Sequence, residues 1–344
     1  MSLKTLDLFC GGGGSSWGAV QAGAQIVLGI DGWDRAIETY SRNFKNRGRQ
    51  YLMAEDTGPS DLGLEQGQVE LLLASPECTN HTCAKGAGNR DEESKRTANY
   101  VLNFACELEP EWIVIENVVH MKRWHGFEPL LEGLKDLGYG TTIQTLDASD
   151  FGVPQTRRRL FILCSKGSTP DPVPLPGTAV VNAREILDYD TATGKDLHRS
   201  RELFDGRRAK ATLERFERGV AALGKGKPFL IVYYGSDAAG GWQSLDRPLR
   251  TLTTLDRFGL VTWKKGIPFL RMLQVPEIMR AMGFREEDGF QFTGTRREQI
   301  KQLGNGVCPP VMEAVVKHLC AVRRKPRKLK AVVRKRKTKA LVLA

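Results

Sequence analysis

The chain has 344 residues, room for one large or two modest domains, and its 41% hydrophobic content can fill a sizeable core. No run of about 18 apolar residues offers a membrane span, and the N-terminus carries no basic-then-apolar leader, which sets aside the membrane and secreted classes as expectations. The net charge of +11 is concentrated: Ala321 to Ala344 holds eleven Lys and Arg and no acid, leaving 40 basic residues to balance 40 acidic ones in the body. Attraction to polyanions is therefore mostly a property of the tail.

The seven cysteines are odd in number and scattered, which reads as free thiols in a reducing compartment. The expected location is cytoplasmic, and nucleoid-associated if the source is a bacterium or phage. Cys78, His81 and Cys83 place three soft ligands within six residues, but no second cluster supplies a fourth, and no metal is expected.

In chain order, Lys4 to Phe9 is a strand candidate that runs into Cys10-Gly11-Gly12-Gly13-Gly14-Ser15-Ser16 and then a helical pattern. Strand, glycine turn and helix form the nucleotide-binding opening of a doubly wound α/β fold. The spacing is not G-x-G-x-x-G, because Ser16 stands at the third glycine position. A second strand, Gln25 to Ile30, ends in Asp31, an acid placed either to take ribose hydroxyls or to cap the next helix, which runs from about Trp33 to Phe44. A third strand near Gln50 to Ala54 is followed by Asp56, again an acid at a strand end.

Val69 to Ala74 is a short buried strand, stopped by Pro76 with Cys78 just beyond. Ligands of open α/β sheets bind at the carboxyl ends of strands, so Cys78 is placed like a nucleophile, although a lone cysteine reads as readily as a buried thiol. The polar stretch Thr79 to Lys95, with Lys85 and Arg90, reads as a basic lid beside it. Thr97 to Leu108 is a helix. Trp112 to Ile115 is a strand ending in Glu116, a carboxyl that burial would keep protonated nearer neutrality. A helix at Glu128 to Leu137 and a strand at Thr141 to Leu146 lead to Arg157-Arg158-Arg159, which opens another apolar strand. Arginines there need anions, such as a phosphate or the Glu116 carboxylate, or a polarised carbonyl.

Prolines 170, 172, 174 and 176 mark a domain edge. The block to Asp246 is polar and basic in patches, and reads as a small irregular domain with an exposed working surface. Phe269 to Phe284 is expected to be helical, Gln302 to Val307 a tight turn, and Pro309 to Val322 a helix that returns to the first domain. The expected division is a catalytic, cofactor-binding domain at 1–166, a second region at 167–246, its remainder with the returning helix at 247–320, and a basic tail at 321–344 that is disordered without an anion.

In this order the pieces resemble the DNA (cytosine-5)-methyltransferase family. The matching residues are Asp7-Leu8-Phe9-Cys10-Gly11-Gly12-Gly13-Gly14, Asp31, Asp56, Pro76-Glu77-Cys78, Glu116-Asn117-Val118, Gln155-x-Arg157-x-Arg159, Arg271-x-Leu273…Glu277…Gly283-Phe284 and Gly304-Asn305-Gly306-Val307. The resemblance implies a Rossmann-like S-adenosylmethionine-dependent methyltransferase sheet with a smaller target-recognition domain, residues 167–246. It also implies S-adenosyl-L-methionine as cofactor and duplex DNA with a flipped cytosine as partner, bound by a monomer. It assigns Cys78 as nucleophile, Glu116, Arg157 and Arg159 as its catalytic company, and Asp7, Phe9, Gly11, Gly13, Asp31, Asp56 and Asn305 to the cofactor. DNA contacts are expected from Lys85, Arg90, Arg323, Arg324 and Lys325.

Two departures stand out. The family usually has Pro-Pro-Cys-Gln where this chain has Pro76-Glu77-Cys78-Thr79, which sets a carboxylate beside the nucleophile and raises its pKa. Gly32 stands where the family often has an apolar side chain, with Trp33 one step along. The rival readings are an RNA cytosine methyltransferase and a non-catalytic cofactor- and DNA-binding protein of the same fold.

Overall fold

A computed structural model describes residues 2–54, 57–76, 91–190, 193–235 and 240–323, without the side chains of 91–99, 322 and 323. Its centre is a seven-stranded sheet formed by β1 (Lys4–Leu8), β2 (Gln25–Asp31), β3 (Gly48–Gln50), β4 (Leu71–Ala74), β5 (Trp112–Val118), β6 (Tyr139–Asp147) and β7 (Arg158–Lys166). The order across the sheet is β3-β2-β1-β4-β5-β7-β6. The first five strands in that order pair in parallel, and β7 runs antiparallel between β5 and β6.

Both faces of this sheet are covered, which is why its central strands read as unbroken apolar runs rather than alternating ones. Leu71, Leu73, Trp112, Val114, Phe161 and Leu163 enter one core. Their neighbours Leu72, Ala74, Ile113, Ile115, Leu160 and Ile162 enter the other. The two-residue period of a strand sorts them. Helices α1 (Gly14–Gln21), α2 (Asp34–Asn43), α3 (Asp91–Leu108) and α4 (Phe127–Asp136) follow β1, β2, β4 and β5.

A second sheet is antiparallel, in the order β10-β14-β13-β11-β12. Its strands are β10 (Arg201–Glu202), β11 (Phe229–Val232), β12 (Trp242–Ser244), β13 (Phe258–Lys264) and β14 (Ile267–Met272). A short pair, β8 (Tyr189–Asp190) and β9 (Lys195–Asp196), precedes it. Helix α5 (Lys210–Leu223) packs on this sheet, with the Phe216 ring 6.0 Å from Phe229 and 5.8 Å from Trp263. The chain ends in α6 (Val275–Ala281), α7 (Arg296–Asn305) and α8 (Pro309–Arg323).

Helix α8 lies against α1, and small residues make the contact close. A Cβ on Gly18 would stand 2.3 Å from the Pro309 carbonyl oxygen, and one on Gly14 equally close to that of Val307. Residues of α8 such as Val315 and Leu319 share a core with Leu3, Ala19 and Ile26.

Four sequence expectations need correction. Residues 269–272 are strand rather than helix: Leu270 and Leu273 fit helical spacing, but Leu270 pairs with Val261 in the sheet, and Pro276 marks the true helix start one turn later. The third strand is Gly48–Gln50, earlier than expected, and residues 51–54 leave the sheet. The first part of 302–307 closes α7 instead of turning. The block before Asp246 is not irregular throughout, because α5 runs for 14 residues. Leu213, Phe216, Val220 and Leu223 carry its apolar spacing, diluted in the sequence by four intervening charges.

Candidate active site

The carboxyl ends of β1, β2, β4 and β5 and the start of β7 meet at one edge of the central sheet. After β1 the chain turns sharply, with Phe9 at φ 57° and Gly11 at φ 51°. Phe9 is half-buried, its ring centroid 6.1 Å from that of Tyr100. The Gly11 amide donates to Asp31 Oδ2 at 2.9 Å, and the Trp33 amide to Asp31 Oδ1 at 2.8 Å. Asp31 therefore ties the β1–α1 turn to the β2–α2 turn, while Trp33 takes the N-cap position of α2. Burial raises the Asp31 carboxyl, against the pull of these two amides and of Lys301. Lys301 Nζ stands 4.2 Å from the Trp33 ring centroid.

The glycines and acids expected to hold the cofactor play unequal parts. Among the described residues, nothing lies within 4 Å of a Cβ built on Gly11, and the turn faces open space there. Gly13 differs: its amide donates to the Cys10 carbonyl at 2.9 Å, and a Cβ there would stand 2.5 Å from the Phe44 ring. Its glycine is needed for packing and for a φ of 98°, not for ligand approach. Asp7 is wholly buried beneath α1. Its Oδ2 accepts the Ser16 hydroxyl at 2.7 Å, and Ser16 in turn contacts the Tyr40 hydroxyl at 2.6 Å. Asp7 Oδ1 has no hydrogen-bond partner among the described residues, and burial pushes this carboxyl up to about 7. Asn305 is exposed at the end of α7, in a turn that packs on the glycine run through Gly14 and Val307. Asp56 lies outside the described residues.

Gly11 leaves the turn open among the described residues and Asp31 is fixed at the neighbouring strand tip, a lining with which a nucleoside cofactor would be compatible. Sequence reasoning missed Lys301 and Leu52. Leu52 is 85% exposed, and its side chain reaches within 3.3 Å of a Cβ built on Gly32, so it lines the position left bare by that glycine. An apolar residue just past a strand end was the available signal.

At the next strand tip, the Ser75 amide donates to the Leu8 carbonyl at 3.2 Å and Asn117 Nδ2 to the Pro76 carbonyl at 3.2 Å. These bonds fix where the chain departs toward Cys78. Cys78 itself, with Glu77, Lys85 and Arg90, lies outside the described residues, as do Arg324, Lys325 and the side chain of Arg323. Glu116 is 6% exposed, and Arg159 Nε stands 3.2 Å from its Oε1. Burial raises the Glu116 carboxyl, while the charges of Arg159 and Arg157 and a hydrogen bond from Ser75 oppose the rise without cancelling it.

Arg157 does other work. It is 2% exposed and donates to the carbonyls of Leu252 at 3.0 Å, Gly304 at 2.7 Å and Gly306 at 2.9 Å. Its own amide donates to Asp147 Oδ1 at 3.0 Å. These bonds clamp the Asn305 turn to the strand that carries Arg159, an arrangement suited to positioning.

Among the described residues, Asp188, His198 and Glu277 form a grouping of metal-ligand type. Its carboxylates are already engaged: Glu277 by Arg271 at 2.7 and 2.8 Å, and Asp188 by His198 at 2.7 Å and by Arg280. Two guanidinium charges at the site oppose a cation, so the grouping reads as an ion-pair hub.

The fold is that of known methyltransferases. The structure matches the Dnmt2 methyltransferase of S. pombe with a TM-score of 0.63 at 17% identity, covering 94% of this chain and 100% of that one. It matches the Entamoeba histolytica methyltransferase EhMeth with a TM-score of 0.65 at 16% identity and the same coverage. In sequence, it is 30% identical over 311 residues to the type II methyltransferase M.HgiDI of Herpetosiphon aurantiacus, covering 89% of this chain and 90% of the relative. It is 28% identical over 324 residues to M.NgoBI of Neisseria gonorrhoeae, covering 93% of each. The sequence model of C-5 cytosine-specific DNA methylases matches residues 3–321, and the chain belongs to that family, a DNA cytosine-5 methyltransferase.

Proposed function

We propose that this enzyme methylates cytosine C5 in duplex DNA of restriction-modification type, using S-adenosylmethionine, a covalent Cys78 adduct and a cytosine turned out of the helix. The observation that carries the proposal is the buried Glu116–Arg159 pair beside the Ser75-Pro76 exit toward Cys78.

C5 of cytosine is a weak nucleophile. Addition of the Cys78 thiolate to C6 moves the C5–C6 π electrons onto C5, and Glu116 at N3 keeps negative charge from building on the ring. Its raised pKa suits it to hold a proton there. Arg159, oriented by Glu116, holds the cytosine carbonyl. The cofactor supplies an electrophilic methyl on its sulfonium. Loss of the C5 proton then returns an electron pair to the ring and expels Cys78. The target base must leave the stack, which costs a few kcal/mol. The match to the sequence model of C-5 cytosine-specific DNA methylases supports DNA over RNA as substrate.

The test is transfer of labelled methyl to mixed-sequence duplex DNA and, in parallel, to tRNA, followed by nucleoside mass analysis. The expected product is 5-methylcytosine from DNA only, lost in Cys78→Ala while cofactor binding persists. Product from tRNA alone, or full activity in Cys78→Ala, would sink the proposal.

A further inference from the structure

The sheet face beneath α1 changes from apolar to polar along one line of residues. Leu71, Leu73, Trp112, Val114, Phe161 and Leu163 share a core there with Ala19 of α1. By the two-residue period of a strand, Ser75 continues the first pair, Glu116 the second, and Arg159 precedes the third. The pairing of Ala74 with Ile115 sets Ser75 beside Glu116. The Ser75 amide, donated to the Leu8 carbonyl at 3.2 Å, holds that register one residue past the end of β4. Glu116 thus lies between half-buried Ser75 on one side and Arg159 on the other.

Two consecutive serines of α1 close over this line. Ser16 serves Asp7, as described above. Ser15 is 3% exposed, and its Oγ stands 3.3 Å from the Ser75 Oγ. Ser75 in turn donates to the Glu116 carboxyl, whose Oε1 faces Arg159 Nε at 3.2 Å. A hydroxyl that donates to a carboxylate still has lone pairs to accept another hydroxyl, so the chain can run from Ser15 through Ser75 to Glu116. The other charged or titratable groups that face Glu116, among the described residues, are Arg157 on β7 and Cys308 just before α8. Burial pushes the Cys308 thiol up to about 11, so it stays neutral near pH 7.

We infer that Ser75 is a positioning residue for the Glu116 carboxyl and that Ser15 ties it to the first turn of α1, so that one chain of hydroxyls joins the glycine turn after β1 to the group that protects N3. The inference rests on the proposed role of Glu116 in methylation and adds what sets that carboxyl. Glu116 has two tasks: to hold a proton near neutral pH, and to give it up toward N3 as the thiolate adds. Burial serves the first. A hydroxyl that donates to the carboxylate favours the ionised form and serves the second. An acid is most effective when its pKa is near the working pH, which requires the two influences together. Arg159 is shared, because the proposed mechanism also sets it on the cytosine carbonyl. Ser75 has no such second duty.

The test is the pH dependence of single-turnover methyl transfer to duplex DNA by the full-length enzyme. Ser75→Ala should lose about tenfold in rate at pH 7, the scale of one hydrogen bond to a charged group. Its alkaline limb should move to higher pH, because the carboxylate has lost a donor and the proton is held longer. Ser75→Thr keeps the hydroxyl and should restore both. Ser15→Ala should move the limb the same way by less, and should add nothing in a Ser75→Ala background, as expected of groups acting in series. Thermal melting and S-adenosylmethionine binding confirm that the variants fold. A loss of rate with an unmoved alkaline limb, or a threonine variant as impaired as the alanine one, would overturn the positioning role. Fully additive effects of Ser15 and Ser75 would overturn the chain between them. Infrared titration of the carboxyl band that Glu116→Gln removes reads the same group without any reaction, and its midpoint should rise in Ser75→Ala. An unchanged midpoint overturns the inference even in an enzyme that methylates DNA. A raised midpoint without 5-methylcytosine supports the contact and removes only the proposed reaction.

Discussion

At the edge of the parallel sheet, charged groups are buried or half-buried and each is held by fixed partners. Glu116 meets Arg159 at 3.2 Å, Arg157 meets three carbonyls, and Asp31 takes two amides. On the rim of the antiparallel sheet, arginines gather about one tyrosine with a single acid in range, itself paired elsewhere. The first arrangement gives up hydration for fixed geometry, which a reacting base requires. The second leaves its arginines half-buried, one of them held on the Tyr233 carbonyl. Substitutions at the first should therefore be felt in rate and stability, and at the second only weakly in stability.

The largest expected effect is on rate. Glu116→Gln keeps the shape of the side chain and removes its proton chemistry, a loss of about 10²- to 10⁴-fold in kcat. The sign with pH follows from the direction of the shift. The wild-type carboxyl titrates above its ordinary value, so its protonated fraction falls as pH rises through that raised pKa, giving an alkaline limb in kcat. On the proposed mechanism, the acid limb would belong to the nucleophile. The glutamine variant should keep the acid limb and lose the alkaline one, and a surviving alkaline limb would show that Glu116 is not the group that titrates.

Next comes the joint between the two regions. Arg157→Ala strands three buried carbonyls and should cost at least about 3 kcal/mol, read as a lower midpoint in urea. Arg257→Ala, on the half-buried rim, should cost about 1 kcal/mol or less. Arg159→Ala should reduce the rate far more than it reduces stability. Equal stability losses for Arg157 and Arg257 would erase the distinction between the two regions.

This difference also explains what could be read from the sequence. Strands β2, β4 and β5 were legible because each is a short apolar run with a chemical residue at or beyond its tip, Asp31, Pro76 before Cys78 and Glu116, whereas the polar β3, Gly48-Arg49-Gln50, was misplaced. The role of Arg157 was not legible, because its partners Leu252, Gly304 and Gly306 lie 95 to 149 residues away and are carbonyls, which leave no mark on side-chain pattern. The Tyr233 group was equally hidden, since Arg208, Arg215 and Arg257 become neighbours only once α5 and β13 are folded on one sheet. The strand at 267–272 was misread because the three-residue spacing of Leu270 and Leu273 fits a helix, and only the pairing of Leu270 with Val261 shows it to be strand.

The sharpest probe of burial at the parallel-sheet edge belongs to Asp7. Its carboxyl moves from an ordinary 3.8 to about 7 because burial disfavours the charged form. Below about pH 4 the group is protonated in both folded and unfolded chains. As pH rises from 4 to 7, the unfolded chain releases the proton first, so the folded state loses stability across that window and is level above it. Three pKa units at about 1.36 kcal/mol each cap the loss near 4 kcal/mol, and relaxation around the charge would reduce it. Asp7→Asn keeps an acceptor for the Ser16 hydroxyl and removes the titration. The melting temperatures of wild type and variant should lie close together at pH 4 and separate in favour of the variant by pH 8. A gap that does not change with pH would mean that Asp7 is solvated in the folded chain, and that the first turn of α1 is held by Tyr40 and packing rather than by a buried acid.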